Sequence, residues 1–331
     1  MQLGISIPAN HDKIPADGFK MKTKSNLERV LETGRFAVTA QVSPPQNTET
    51  EALRDKINLL KGHVDAINIP DGESAVVAMA SWAGCLIGKQ EGLDPIAQMT
   101  CRDRNRIAMQ MDVLGISALG VNNILCLSGD PVSFGNCPDA KPVFDLDSIQ
   151  LITMVKRLRD EKELENGQPI TGKEPRLFIG AVANPFAEPI EDEVIRLRDK
   201  VNVGADFIQT QPVYNIERFR KWMGLVQKEG LDRKAKILAG INPIPSLAAA
   251  RYMKTKIPNM DVPDAIIERL QKVRRKEEMA EEGIRIAINT INELKEIEGI
   301  AGIHIMTLQR EETIPTICSA AGLYPRPSRL T

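Results

Sequence analysis

Hydrophobic and polar positions along the 331-residue chain follow two alternating periods. Short runs rich in β-branched residues predict eight strands, at residues 36–42, 64–70, 95–101, 122–129, 176–183, 206–211, 235–241 and 302–306. Between these runs apolar residues recur at helical spacing, for example at Leu53, Ile57 and Leu60. The alternation of strand and helix predicts an α/β protein, and eight such units predict a single closed (β/α)8 barrel, the TIM barrel.

Three segments depart from the regular spacing. Residues 130–147, rich in Pro, Gly and Asp, follow the fourth strand and are expected to form a site-forming or lid loop. The helical tract 263–298, interrupted at Gly283, predicts an extra helix before the last strand. Residues 1–24 lie outside the pattern and are expected to form an N-terminal arm, which leaves 25–331 as the barrel domain.

Composition narrows the choice of partners. The chain carries 43 Lys and Arg against 44 Asp and Glu, so its net charge of −1 attracts neither nucleic acid nor an anionic membrane. No apolar run approaches the roughly 20 residues that span a bilayer, and the first residues do not resemble a secretory signal, so we expect a cytoplasmic protein. Five scattered cysteines and three distant histidines predict no metal site, with Cys101 as a buried filler.

The functional groups of such a barrel come from the carboxyl ends of its strands and the loops that follow them. Asp71 and Asp130 are the obvious ionisable groups among these positions. The rest are mostly amide, hydroxyl and small residues: Gln41, Ser43, Asn68, Gln98, Ser128, Gly129, Asn184, Gln209, Gln211 and Asn242. Such a set suits a flat heteroaromatic ligand that is recognised by hydrogen bonds between apolar walls. Neither a GxGxxG nor a P-loop motif is present, so any nucleotide cofactor must bind at the barrel mouth.

Ser128, Gly129 and Asp130 form the sharpest local signal. Glycine lets a ring system approach the backbone, and the aspartate can then accept from the amino and N–H edge of a pterin. A Gly-Asp pair after a strand is also an ordinary turn. Lys200 could bind a phosphate or could be a solvated lysine.

Three stretches, in the right order at barrel spacing, together resemble one family. They are MTCRDRNRIAMQMDVLGISALGVNNILCLSGDP at 99–131, GADFIQTQPVYN at 204–215 and GIHIMTLQRE at 302–311. They resemble methylenetetrahydrofolate reductase, a flavin-dependent (β/α)8 enzyme of one-carbon metabolism, over residues 25–327. The chain is similar to the short form of anaerobic bacteria, which has no regulatory domain.

The resemblance implies roles for the strand-end residues. Asp130 matches the aspartate that meets the pterin and influences the flavin, and Gln211, with Gln209 near it, matches the pterin-binding glutamine. Positions that line the flavin, its ribityl chain or its phosphate are Asn68, Gln98, Ser128, Gly129, Asn184 and Lys200. Gln98 replaces a usual histidine, and Asp199 replaces an arginine that would help to hold an adenine dinucleotide. The lost positive charge favours FMN slightly over FAD.

Gln41 is the most consequential departure from the family pattern. It stands where the family carries its catalytic glutamate, the general acid that assists opening of the five-membered ring. An amide has no proton to donate, so a rate factor of about 10² to 10⁴ is lost unless water or another residue replaces the acid. An engineered variant, a natural subgroup with another acid, and a subunit with relaxed demands all fit this change. Asp71, at the neighbouring strand end, is the candidate substitute.

The implied activity is hydride transfer from flavin N5 to 5,10-methylenetetrahydrofolate, which gives 5-methyltetrahydrofolate, in either direction. The electron donor is either NADH that stacks on the flavin or a redox partner, such as a companion iron–sulfur or zinc-containing subunit. A first alternative is a folate- or flavin-binding subunit of a larger redox complex that is catalytically weak because of Gln41. A second is a folate-dependent methyltransferase, which ranks lower because the chain lacks the cysteine cluster of thiol-activating zinc enzymes.

Overall fold

A computed structural model describes residues 21–326 of the chain, and its eight parallel strands close into a barrel in sequence order. Each strand pairs with the next, and β8 returns to β1 with Thr39 opposite His304. The strands are β1 Ala37–Gln41, β2 Ala66–Ile69, β3 Pro95–Thr100, β4 Asn123–Leu127, β5 Phe178–Ala183, β6 Phe207–Pro212, β7 Lys236–Ile241 and β8 Ile300–Ile305. The predicted fold class and all eight predicted strands are therefore confirmed.

One helix precedes β1, and the others follow the strands and pack around the outside of the barrel. In chain order they are α1 Asn26–Glu32, α2 Glu51–Leu59, α3 Ser81–Gln90, α4 Arg106–Ala118, α5 Ser148–Lys156, α6 Ile190–Asn202, α7 Ile216–Lys228, α8 Leu231–Lys234, α9 Leu247–Lys256, α10 Asp264–Gln271, α11 Lys276–Lys295 and α12 Ile314–Ala320. Local chemistry starts several of them: the Asn105 side chain caps α4, and Asp147 forms a capping box with Gln150 at α5. Among the helices of residues 21–326, none combines the length and apolar character needed to cross a membrane.

Helix α1 closes the amino-terminal end of the barrel. Its buried residues Leu27, Val30 and Leu31 pack against inward-facing strand residues such as Ile96 and Phe207. The helix is held by Ser25, whose side chain accepts from the Glu28 N–H as an N-cap. The predicted arm at 1–24 falls mostly on residues 1–20, which lie outside the described residues, as do residues 327–331.

Helix α9 is the regular helix after β7, and the tract 263–298, which predicts one extra helix, forms two helices, α10 and α11, before β8. The expected interruption at Gly283 is wrong, since α11 runs through this residue and the helical tract breaks at 272–275 instead. Gly283 is needed for packing: a Cβ built there would lie 1.9 Å from the Ile244 carbonyl oxygen. Only a residue without a side chain lets helix and loop approach so closely.

Alanine substitutions at two helical glycines test this reading of Gly283. In an exposed helix Gly→Ala stabilises by about 1 kcal/mol, and Gly224 in α7 has nothing within 4 Å of an added Cβ. We therefore expect Gly224→Ala to raise the free energy of unfolding. Gly283→Ala should lower it by about 1–3 kcal/mol, because the methyl group overlaps a backbone oxygen. Denaturant titration measures both values, and stabilisation by both changes would contradict the packing role.

A candidate active site at the mouth of the barrel

The end of β1 contacts the loop that follows β2. Gln41 is the last residue of β1 and is buried; its Nε2 donates to Glu73 Oε1 at 2.9 Å. The Ser43 hydroxyl donates to the other oxygen of the same carboxylate at 3.2 Å. Gly72 makes this geometry possible, since it adopts a φ of 62° just before the 3₁₀ turn Glu73–Ala75. A carboxylate therefore lies one hydrogen bond away from position 41.

The loop after β4 packs against the same β2 loop. The Ser74 backbone N–H donates to Asp130 Oδ2 at 3.1 Å, and the Val77 N–H donates to Asn136 Oδ1 at 2.9 Å. Gly135 lies so close to the β2 loop that an added Cβ would be 1.7 Å from the Ala75 oxygen. Segment 130–147 thus forms part of the mouth, and its movement as a lid stays a prediction.

Arg102 ties the two loops together from below. Its guanidinium is buried and donates to the carbonyl oxygens of Gly72 at 3.2 Å and Asp130 at 3.4 Å. Its Nε and Nη2 also donate to the Asp103 carboxylate at 2.8 and 2.7 Å. A rigid cation with several donors therefore fixes the loops after β2 and β4 relative to each other.

Asp71 is committed to a structural ion pair. Arg104 contacts its two carboxylate oxygens at 2.6 and 3.0 Å, and the Thr100 N–H and hydroxyl both donate to Oδ2 at 2.9 Å. Asp71 is buried, so breaking this pair would leave an uncompensated charge. Both carboxylate oxygens of Asp71 are therefore occupied by donors from within the protein. The structure therefore argues against Asp71 as the substitute acid.

Two of the expected ligand-binding amides lie below the mouth, inside the barrel. Asn68 and Gln209 are buried and exchange two hydrogen bonds of 2.8 and 3.1 Å. Gln209 Nε2 also contacts the Thr39 hydroxyl at 3.2 Å, and that hydroxyl lies 2.9 Å from His304 Nδ1. These four side chains, which we call the polar layer, satisfy one another. The assigned roles of Asn68 in cofactor binding and Gln209 in substrate binding stay predictions.

The other expected amides reach the mouth. Gln98 is half-buried near the end of β3, and Asn184 follows β5, where its Oδ1 accepts from the Phe186 N–H at 3.1 Å. Gln211 is exposed beside a register shift between β6 and β7. Such a bulge re-aims the side chain of the extra residue. Ser128 and Gly129 follow β4 directly, and Gly129 adopts a φ of 94°.

Lys200 reaches the end of β5 from α6. Its Nζ donates to the Val182 carbonyl oxygen at 2.7 Å, and burial lowers the pKa of the ammonium group. Its other N–H donors have no hydrogen-bond partner among residues 21–326. An ammonium with free donors near a strand end can hold a phosphate group.

A cavity of about 500 Å³ opens beside Glu73, between the loops after β1, β2 and β8. Pro44, Leu53 and Leu308 form apolar walls, and Ser43, Lys56 and Glu73 add polar groups. This volume lies within the range of about 300–1,000 Å³ that is usual for small-molecule sites.

The residues at the mouth fit a flavin. Asn242 Oδ1 and Thr307 Oγ1 are buried without a hydrogen-bond partner in the described part of the chain. They follow β7 and β8, at the same end of the barrel as Gln98 and Ser128. Unpaired buried polar atoms are costly, which indicates that a ligand completes them. A flavin has donors and acceptors along its ring edge, and the Lys200 ammonium group would be the one to hold its phosphate.

Cys101 and His63 lie in structural surroundings. Residues 21–326 contain no group of three or more His, Cys, Asp or Glu side chains placed to hold a metal ion. Cys101 is buried, and burial raises the pKa of its thiol to about 12, so it is not a thiolate nucleophile. His63 stacks on Tyr324 with ring centroids 4.4 Å apart.

Comparison with known proteins decides the family. The model of one protein family, methylenetetrahydrofolate reductase, matches residues 26–322. The chain belongs to this family. The match spans the whole barrel from α1 to the end of α12, as the resemblance of residues 25–327 predicts.

Individual relatives are distant. A 5,10-methylenetetrahydrofolate reductase of Buchnera aphidicola is 21% identical over 310 residues, which cover 91% of this chain and 96% of that protein. A probable methylenetetrahydrofolate reductase (NADPH) of Caenorhabditis elegans is 23% identical over 70% of this chain. Only 33–36% of the length of that protein and of two fission-yeast relatives is matched, so the chain spans about a third of them. A Clostridium thermocellum protein described as binding two copies of 5-methyl-5,6,7,8-tetrahydrofolic acid shares the fold, with a TM-score of 0.62 at 17% identity and coverage of 89% and 97% of the two chains.

Sequence reasoning passed over three charged residues of the site. Glu73 contacts Gln41, Arg102 holds two loops, and Arg104 pairs with Asp71. Glu73 lies in the loop after β2, in the stretch PDGES, and both arginines lie in the loop after β3, in the stretch CRDR. A signal existed, because charged residues that directly follow barrel strands are typical of the functional face. Their partners could not be chosen from spacing alone.

His304 makes the stability of the barrel sensitive to acid. Burial lowers its pKa from 6.5 to about 3, so the unfolded chain binds a proton there between those pH values and the folded chain does not. Stability from this group is therefore complete above pH 6.5 and is lost as the pH falls. At pH 5 the loss amounts to about 2 kcal/mol relative to pH 7.

Between pH 5 and 7, the unfolding free energy of the variant His304→Asn should depend less on pH than that of the wild type. The variant should also be less stable overall. The matched change His63→Asn removes a half-buried histidine and should leave most of the slope in place. Denaturant unfolding between pH 5 and 7 measures both. An unchanged slope in His304→Asn would show that His304 is not the group responsible.

Proposed function

We propose that this protein catalyses the flavin-dependent interconversion of 5,10-methylenetetrahydrofolate and 5-methyltetrahydrofolate. The observation that carries the proposal is the position of Asp130. One of its oxygens accepts from the Ser74 N–H, and the other has no hydrogen-bond partner among residues 21–326. This free oxygen at the mouth can accept from the amino and N–H edge of a pterin. Family membership over residues 26–322 supports the same reaction.

The cofactor is proposed to be held by groups on neighbouring strand ends. Gln98 lies near the end of β3, Ser128 and Asn184 follow β4 and β5, and Lys200 reaches the end of β5 from outside. The flavin supplies hydride transfer at N5. The chain's own part is to position the folate and to exclude water. Asp199 adds no positive charge beside Lys200, which favours FMN over FAD.

The folate is proposed to lie above the polar layer, with Asp130 and Gln211 as its anchors. The name of the Clostridium thermocellum neighbour, which binds 5-methyltetrahydrofolate, is consistent with this ligand class. The electron donor is proposed to be NADH or a companion redox subunit, as the resemblance implies.

Anaerobic titration of the purified protein with 5-methyltetrahydrofolate tests the proposal. If flavin and folate meet in one site, the absorbance of the oxidised flavin should bleach as the folate is oxidised. A flavin band that shifts without bleaching would mean that folate binds but hydride does not move. Protein that binds 5-methyltetrahydrofolate but no flavin would favour the methyltransferase alternative.

Asp130→Asn tests the substrate anchor. A hydrogen bond to a charged group contributes about 1.5–3 kcal/mol, so kcat/KM for the folate should fall about 10- to 100-fold while flavin stays bound. Asp139→Asn is the matched control, because Asp139 is exposed in the same loop. Steady-state kinetics and flavin content measure both variants. Unchanged turnover in Asp130→Asn would remove Asp130 from the mechanism.

A further inference from the structure

The proposed reaction needs a proton donor at one step, the opening of the substrate's five-membered ring. Opening of the five-membered ring of 5,10-methylenetetrahydrofolate breaks the bond between N10 and the methylene carbon, and N10 must be protonated as it leaves. A positioned acid contributes about 10² to 10⁴ in rate to such a step. Gln41 cannot supply the proton, because an amide has none to donate in the useful pH range.

Glu73 is the carboxyl group nearest to the end of Gln41. Gln41 Nε2 donates to one of its oxygens at 2.9 Å and Ser43 Oγ to the other at 3.2 Å. The side chain is exposed and lines the cavity of about 500 Å³ at the barrel mouth. A ligand in that cavity can therefore contact the carboxyl group directly.

The partners of Glu73 leave it free to exchange a proton. Both are neutral, and within residues 21–326 Glu73 forms no ion pair. A serine hydroxyl donates to a carboxylate and accepts from a carboxylic acid, so Ser43 can accompany either form. Asp71, by contrast, is held by Arg104 and Thr100.

The other charged groups near Glu73 already have hydrogen-bond or ion-pair partners within the protein. Arg102 donates to the Gly72 carbonyl oxygen and to Asp103, and Lys56, which lines the same cavity, pairs with Glu311 at 3.2 Å. Asp130 accepts from the backbone N–H of Ser74, the residue that follows Glu73. Among these groups Glu73 alone joins position 41 to the cavity.

We propose that Glu73 is the general acid of ring opening, held in place by Gln41 and Ser43. The Glu73 carboxyl proton passes to N10 as the N10–methylene bond breaks. The electron pair of N5 then forms the N5–methylene iminium, and solvent reprotonates the carboxylate. This step is redox-neutral, and it rests on the proposed function because it needs that substrate.

Single-turnover kinetics test the assignment. Protein reduced with dithionite is mixed anaerobically with 5,10-methylenetetrahydrofolate, and the return of oxidised flavin absorbance gives the rate. Glu73→Gln should slow this step about 10²- to 10⁴-fold. The wild-type rate should fall as pH rises, since the acid must be protonated, and this dependence should disappear in the variant. Glu49→Gln, an exposed glutamate in the loop after β1, is the matched control and should react at the wild-type rate.

Two further measurements separate chemistry from structure. Binding of 5-methyltetrahydrofolate, which requires no ring opening, should change less than about threefold in Glu73→Gln, since the lost group acts on the transition state. The double variant Gln41→Glu/Glu73→Gln should recover at least about tenfold of the lost rate, because it returns a carboxyl group to the adjoining side chain.

The outcomes are distinct. A Glu73→Gln protein that reacts at the wild-type rate overturns the assignment, as does one that loses rate and 5-methyltetrahydrofolate binding together without recovery in the double variant. If reduced wild-type protein is not reoxidised by 5,10-methylenetetrahydrofolate, the proposed function itself fails and the assignment falls with it.

Discussion

The interior of an eight-stranded barrel has to be filled with side chains, and each polar atom among them has to find a partner. Here α1 closes the amino-terminal end, where Leu27, Val30 and Leu31 pack against inward-facing strand residues. Above it, the amides of Asn68 and Gln209 pair across the barrel, and Thr39 links them to His304. The mouth is therefore built on a floor whose hydrogen bonds are already satisfied. A ligand above this floor meets groups that need not rearrange to receive it.

The loops at the mouth depend on two arginines for their shape. Arg104 neutralises Asp71, and Arg102 joins the loops after β2 and β4 through their carbonyl oxygens. Buried charge of this kind is stable only when it is paired and hydrogen-bonded. Glu73 and Asp130 are left without an ion pair in the described part of the chain. We propose different tasks for these two carboxyl groups: Asp130 accepts from the pterin edge, and Glu73 exchanges a proton.

Family membership and the departure at position 41 fit together in this arrangement. In a barrel, loops that follow neighbouring strands meet at one end. A functional group can therefore be carried by either of two neighbouring loops in different sequences, at nearly the same place in space. Gln41 is the last residue of β1, and Glu73 follows β2, which pairs with it. The amide at position 41 then serves as a hydrogen-bond donor that orients the neighbouring carboxyl group.

The sequence by itself determined the eight strands, because each is an apolar run whose periodicity is local. It also predicted that the site lies at the carboxyl ends of the strands, since these ends meet on one face of the barrel. Periodicity could not reveal that α11 runs through Gly283, where the missing side chain admits the Ile244 carbonyl group.

Only the tertiary structure decided the partners of each polar group. It placed Glu73 beside Gln41, a residue 32 positions earlier, and it committed Asp71 to Arg104. It also placed Asn68 and Gln209, 141 positions apart, in one buried pair. Such contacts follow from strand register and loop conformation, which depend on the packing of the whole chain and leave no signal in the spacing of one sequence.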